Sequence, residues 1–172
     1  MANAELLYSE DQVEAAIDHM AAQINAALSD RNPLLLCLML GAVVITGKLL
    51  TRLRFPLEIE YVHASRYRGQ TTGGELAWTH MPAETIGDRC VLVIDDILDE
   101  GITMANVVEA CKQAGASEIR TAVLVNKTIT RPKKFNAVDF IGLTVPDKYV
   151  FGYGMDYHEY LRNANGIYAV NG

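Results

Sequence analysis

Apolar residues recur at helical spacing near the start of the chain: Val13, Ile17, Met20, Ile24 and Leu28 share one face of a 3.6-residue period. Ser9, with Gln12 three positions on, forms a capping-box signature ahead of them, so a helix is expected from about residue 9 until Asn32-Pro33. Leu34 to Leu40 is an unbroken apolar run, as expected of a strand buried on both faces. Gly41 interrupts it; Val43 to Leu53 suits a second helix and Leu57 to Val62 the next strand. Further on, Cys90 to Ile94 reads as a buried strand and Thr103 to Ala114 as a helix closed by Gly115. Ile119 to Val125 and Val138 to Leu143 read as two more strands. This alternation predicts an α/β fold: a central, mostly parallel, twisted sheet flanked by helices and built from right-handed crossovers. Ligands of such sheets bind beyond the carboxyl ends of the strands, where Gly41, the turn after Ile94 and Asn126-Lys127 all fall.

Two stretches break the pattern. Ser65 to Gly74 has no apolar periodicity, three glycines and two arginines, and is expected to be a long binding loop or lid, with Glu75 to Thr79 as a return strand. The second is Val91-Leu92-Val93-Ile94-Asp95-Asp96-Ile97-Leu98-Asp99-Glu100-Gly101-Ile102-Thr103. Here a buried strand runs into an acidic turn and a glycine that opens a helix. Unpaired N–H groups at a helix start suit a phosphate, and the Thr103 hydroxyl adds a donor. Carboxylates beside that phosphate make sense when Asp95 and Asp96 face sugar hydroxyls or a hydrated Mg²⁺. A lone aspartate there would be a helix cap; three in one turn ask for more.

Composition narrows the classes. A chain of 172 residues suits a single domain. Its formal net charge of -6 argues against nonspecific nucleic-acid binding, which needs clustered cations. Cys37, Cys90 and Cys111 are an odd number, far apart and in apolar or helical runs, so buried free thiols are expected. Residues 1–7 carry no signal-peptide pattern, and the apolar run Pro33 to Ile45 is too short to cross a bilayer. A cytoplasmic protein that binds neither membrane nor nucleic acid is expected. His19, His63, His80 and His158 make no metal-binding pattern. The glycines at 41 and 47 before Lys48 do not make a triphosphate loop, because five residues separate them and Leu49 follows the lysine.

The acidic turn resembles the phosphoribosyl pyrophosphate signature of type I phosphoribosyltransferases. Pro146 to Tyr157, with Arg162 beyond, resembles the purine-binding stretch of the hypoxanthine-guanine members, and the similarity runs from about Leu34 to Arg162. The resemblance implies the type I fold: one domain over 1–172, a core of about 34–145, and a small hood from the N-terminal helix and the C-terminal segment. It implies phosphoribosyl transfer to a 6-oxopurine, with Mg²⁺ as cofactor and a homodimer or homotetramer as the assembly. By resemblance, Asp99 exchanges a proton with a ring nitrogen of the base. Phosphoribosyl pyrophosphate would meet Leu40, Gly41, Asp95, Asp96, Asp99, Glu100, Gly101, Ile102, Thr103 and Arg162. The purine would meet Lys127, Tyr149, Val150 and Asp156, and the metal Asp95, Asp96 and Asp156. Lys127 can donate to a 6-oxo group but cannot accept from a 6-amino group. Ser65 and Tyr67 match the Ser/Tyr elements of the family's lid, although relatives often have the two adjacent and here Arg66 intervenes. Two further departures stand out. Leu40 precedes Gly41 where relatives often carry a basic or polar residue. Glu100 replaces the common threonine, and its side chain is expected to point outward.

Overall fold

A computed structural model describes residues 4–66 and 76–170. Its main sheet has the order β4-β3-β2-β5-β6-β7. The strands are β2 (Leu34–Met39), β3 (Glu58–Arg66), β4 (Leu76–His80), β5 (Cys90–Leu98), β6 (Glu118–Thr128) and β7 (Phe140–Pro146). All neighbours run parallel except β3 and β4. Strands β2 and β5 are apolar on both faces because both faces are covered, and Leu34, Leu35, Leu36, Leu92, Val93 and Ile94 are wholly buried.

Helix α1 (Glu10–Leu28) begins at Ser9, whose hydroxyl accepts from the Gln12 N–H while the Gln12 side chain accepts from the Ser9 N–H. It buries Val13, Ile17, Met20, Ile24 and Leu28, the stripe seen in the sequence. α2 (Val43–Leu50) packs on β2 and β5, and α4 (Ile102–Gln113) on β5 and β6, with the short α3 (Ala83–Ile86) beside α4. From β2 the chain crosses by α2 to β3 on one side; from β5 it crosses by α4 to β6 on the other. The crossover direction therefore reverses between β2 and β5, which opens a crevice at their carboxyl ends.

A second, antiparallel sheet has the order β1-β9-β8, joining β1 (Ala4–Tyr8), β9 (Ile167–Val170) and β8 (Val150–Phe151). Helix α1, which the resemblance assigns to a hood with the C-terminal segment, packs against β7 and α2, where its apolar face meets the main core.

Polar contacts tie the two layers. Glu14 on α1 receives the Tyr153 hydroxyl at 2.8 Å, Lys48 at 2.7 Å and Arg52 at 2.6 Å. Burial pushes the Glu14 carboxyl up, but these donors outweigh it and leave the group below its ordinary value. Replacing Tyr153 with Phe removes a donor to a charged acceptor and is expected to cost about 1–2 kcal/mol, read as a lower urea midpoint with an unchanged m-value.

Candidate active site

The crevice at the carboxyl ends of β2 and β5 is a cleft of about 480 Å³. Gly41, Asp95, Asp96, Asp99 and Glu100 line it, as do Gly101, Ile102 and Thr103 at the start of α4 and Tyr149, Asp156 and Arg162 from the C-terminal segment. A smaller cleft of about 180 Å³ adjoins it, walled by Asp96, Asp99, Lys127, Tyr149, Val150 and Asp156. Residues from sequence positions 41 to 162 thus converge on one place. Leu40 is not among the lining residues and is half exposed; its peptide with Met39 is cis. The side chain of Ser65 and the whole of Tyr67 lie outside the described residues.

Strand β5 carries farther than its hydrophobicity predicts. Asp95 and Asp96 belong to the strand, not to the turn, because β6 continues alongside and pairs Asp95 with Val123 and Leu98 with Asn126. Lys127 likewise sits within β6, one residue before its end. On the far side of the sheet β3 runs through Ser65 and Arg66, which the sequence places in the loop, since β4 pairs with both.

Two glycines have identifiable reasons. A side chain at position 41 would collide with the Asp96 carboxylate, so Gly41 lets the loop after β2 close over β5. Gly101 caps α4 with φ +75, and a Cβ there would come within 2.6 Å of the Phe135 carbonyl oxygen. The segment around Phe135 requires Gly101, a contact that the expected phosphate role did not include.

Asp95 and Asp96 are adjacent carboxylates at the end of β5, and both line the larger cleft. Each carboxylate accepts a backbone N–H, Asp95 from Asp96 at 2.9 Å and Asp96 from Ile97 at 2.8 Å. Burial first, and then the Asp96 charge, push Asp95 well above 3.8; burial also raises Asp96, offset in part by hydrogen bonding with Asp95, by the Ile97 N–H and by the Arg162 charge. Below 3.8 both folded and unfolded chains hold the Asp95 proton and the site costs nothing. As pH rises from there through the raised folded value, the unfolded chain releases its proton first and stability falls. Replacing Asp95 with Asn is therefore expected to raise the melting temperature at pH 7 by a few degrees while lowering activity. A calorimetric scan with equal or lower melting temperature for the variant would contradict this.

At the junction of the clefts, Lys127 Nζ donates to Asp99 Oδ2 at 2.7 Å, and Lys127 is 8% exposed. Arg162 donates to Asp156 Oδ1 at 2.9 Å and to the Gly154 carbonyl at 2.6 Å. Tyr149 is half exposed and lines both clefts; its ring is perpendicular to that of Tyr157 and nearly parallel to that of His158, with centroids 6.4 Å apart. Among the described residues no group of three or more His, Cys, Asp or Glu is gathered closely enough to cage a cation. The acid pair suits a hydrated divalent ion that takes its other oxygens from a ligand.

The sequence missed Arg131 and Lys133, which follow β6 on an irregular segment. Arg131 reaches Asp147 at 2.8 Å, Glu100 at 3.2 Å and Asp99 at 3.5 Å. Lys133 donates to Asn126 Oδ1 at 2.7 Å and to the Leu98 carbonyl at 3.1 Å, and its burial lowers its pKa. The basic run Arg131-Pro132-Lys133-Lys134 was visible, but it has no periodicity to say where it points. Glu100, whose side chain was expected to point outward, lines the larger cleft and accepts from Arg131 Nε at 3.2 Å.

A helix N-terminus, an acid pair and a smaller side cleft thus meet at the switch point of a mostly parallel sheet, where ligands of α/β folds bind. The family of phosphoribosyl transferase domains matches residues 3–158, and the chain belongs to it. Among its relatives is the hypoxanthine-guanine-xanthine phosphoribosyltransferase of Tritrichomonas foetus, 32% identical over 92% of this chain and 86% of that one. The hypoxanthine-guanine phosphoribosyltransferase of Bacillus subtilis is 30% identical, covering 92% and 88%. A crystal structure of a hypoxanthine phosphoribosyltransferase from Staphylococcus aureus superposes with a TM-score of 0.89 at 26% identity, covering 97% of this chain and 91% of that one.

Proposed function

We propose that this protein transfers the phosphoribosyl group of phosphoribosyl pyrophosphate to hypoxanthine or guanine, forming IMP or GMP and releasing pyrophosphate in purine salvage. The observation that carries this proposal is the Lys127–Asp99 contact where the two clefts meet. It puts a donor suited to a 6-oxo group beside a carboxylate suited to a ring proton. In this scheme the sugar donor fills the larger cleft. Its 5′-phosphate meets the N–H groups at Gly101, Ile102 and Thr103, where the helix start favours negative charge. Backbone at Leu40-Gly41 and the Arg162 guanidinium meet the pyrophosphate.

The purine fills the smaller cleft against the face of Tyr149, with backbone at Val150 and Asp156 reading its edge. Lys127 donates to its 6-oxo oxygen. As the sugar C1–O bond to pyrophosphate breaks and the C1–N bond forms, a purine ring nitrogen surrenders its proton to Asp99. Asp95 and Asp96 face the ribose hydroxyls and, with Asp156, would hold Mg²⁺. That ion supplies charge screening for the leaving pyrophosphate.

Two supporting features concern setting and assembly. The three cysteines are unpaired and buried, which fits a reducing cytoplasm. Leu40, Val43, Ile59, Tyr61 and Trp78 are exposed apolar residues on or near α2, β3 and β4, which fits a homodimer or homotetramer.

A spectrophotometric assay with phosphoribosyl pyrophosphate, Mg²⁺ and each base in turn tests the proposal. Nucleotide is expected from hypoxanthine and guanine, with adenine inert. Activity on adenine equal to that on guanine would remove Lys127 as the selecting donor.

A further inference from the structure

Glu100 poses a problem that its neighbours answer. It stands immediately before Gly101, the N-cap of α4, and lines the larger cleft. The positive end of a helix attracts any anion, a protein carboxylate as readily as a phosphate. A free Glu100 would therefore compete with, or repel, a phosphate at the amides of 101–103. Arg131 sits where it can prevent this. Its Nε donates to Glu100 Oε1 at 3.2 Å, and its Nη1 donates to Asp147 Oδ2 at 2.8 Å. Asp147 lies in the connection between β7 and β8, so it anchors the guanidinium from outside the acidic turn. A planar fork can face two carboxylates in fixed directions; an ammonium on a flexible stem cannot.

Resting on the proposed function above, we propose that Arg131 is a positioning residue that draws Glu100 away from the start of α4 and neutralises it, keeping that helix end open for the donor's phosphate. Arg131 acts through Glu100, and its effect is confined to the binding of the phosphorylated sugar. Asp99 is 3.5 Å from Arg131 but 2.7 Å from Lys127, so it keeps its main cationic partner when Arg131 is lost. The proton transfer assigned to Asp99 is then largely spared.

The test is a four-enzyme cycle: the unaltered protein, Arg131→Ala, Glu100→Thr and the double variant, each assayed with phosphoribosyl pyrophosphate, Mg²⁺ and hypoxanthine. With Glu100 present, Arg131→Ala is expected to raise KM for the sugar donor about fivefold or more, because an unneutralised carboxylate faces several phosphate charges. Its kcat should change by less than about threefold, the split that marks lost binding rather than lost chemistry. In the Glu100→Thr background, removing Arg131 should change that KM by less than about twofold, since the charge it offsets is gone. Arg131→Lys should fall between the first two enzymes. An equal KM increase with and without Glu100 would overturn the inference, as would a loss confined to kcat. An inactive unaltered protein would instead overturn the functional proposal.

Discussion

Replacing Asp99 with asparagine is expected to lower kcat by about 10²-fold or more, the usual scale of a lost proton transfer, while KM for the sugar donor moves by less than about threefold. Asparagine is the informative replacement because of Lys127. That lysine's side chain is only 10% exposed, and its ammonium is held by Asp99. Alanine at position 99 would strand a nearly buried cation and confound chemistry with stability. The amide oxygen of asparagine still accepts from Lys127 but cannot take up a proton at neutral pH. Steady-state kinetics beside a thermal melt separates the two effects: lost turnover at a nearly unchanged melting temperature is the expected result. An asparagine variant turning over at the unaltered rate would end the proton-transfer assignment.

What the sequence disclosed follows from which forces are local. Helix α1 was legible because its capping box and its apolar stripe are both short-range signals, and it starts where Ser9 says. Strand β2 was legible because burial on both faces leaves an uninterrupted apolar run. The ends of β5 and β6 were not legible. Past Ile94 the strand continues through Asp95 and Asp96 only because β6 lies beside it, and that partnership is a tertiary fact. The short strands β1, β8 and β9 were missed for a similar reason. Val150–Phe151 has two residues and no period of its own; only its pairing with Phe151↔Tyr168 and Val150↔Ala169 makes it a strand.

The candidate site divides along the same line. Strand-end acids, a helix-opening glycine and the Pro146 to Tyr157 stretch carry a dense local pattern, so the sequence could nominate them together. Arg131 could not be nominated. Its significance lies in reaching Asp147, 16 positions away, and Glu100, 31 positions away, from a segment without regular structure. Glu100 alone looked like a defect in the pattern. Beside Arg131 it becomes half of a pair, and a departure at one position is matched by a partner that no motif contains.

Lys127→Ala is expected to have the converse profile to Asp99→Asn: kcat/KM for hypoxanthine falls by about 10²-fold, most of it in the affinity for the base. A hydrogen bond from a charged donor is worth about 1.5–3 kcal/mol, or roughly 10- to 150-fold. The smaller cleft should realise the upper part of that range, because Lys127 is 8% exposed and water cannot readily replace it. Stability should respond differently from the Asp99 side of the pair. Asp99 is more open, at 36% exposure, and retains Arg131 nearby, so losing the lysine leaves a carboxylate that solvent can reach. The alanine variant is therefore expected to melt within a few degrees of the unaltered protein. Lys127→Gln sharpens the test: an amide can donate to a 6-oxo group or accept from a 6-amino group, so the preference for hypoxanthine over adenine should narrow. If the glutamine variant discriminated between the two bases as strongly as the lysine enzyme, selection would have to come from the backbone at Val150 and Asp156 instead.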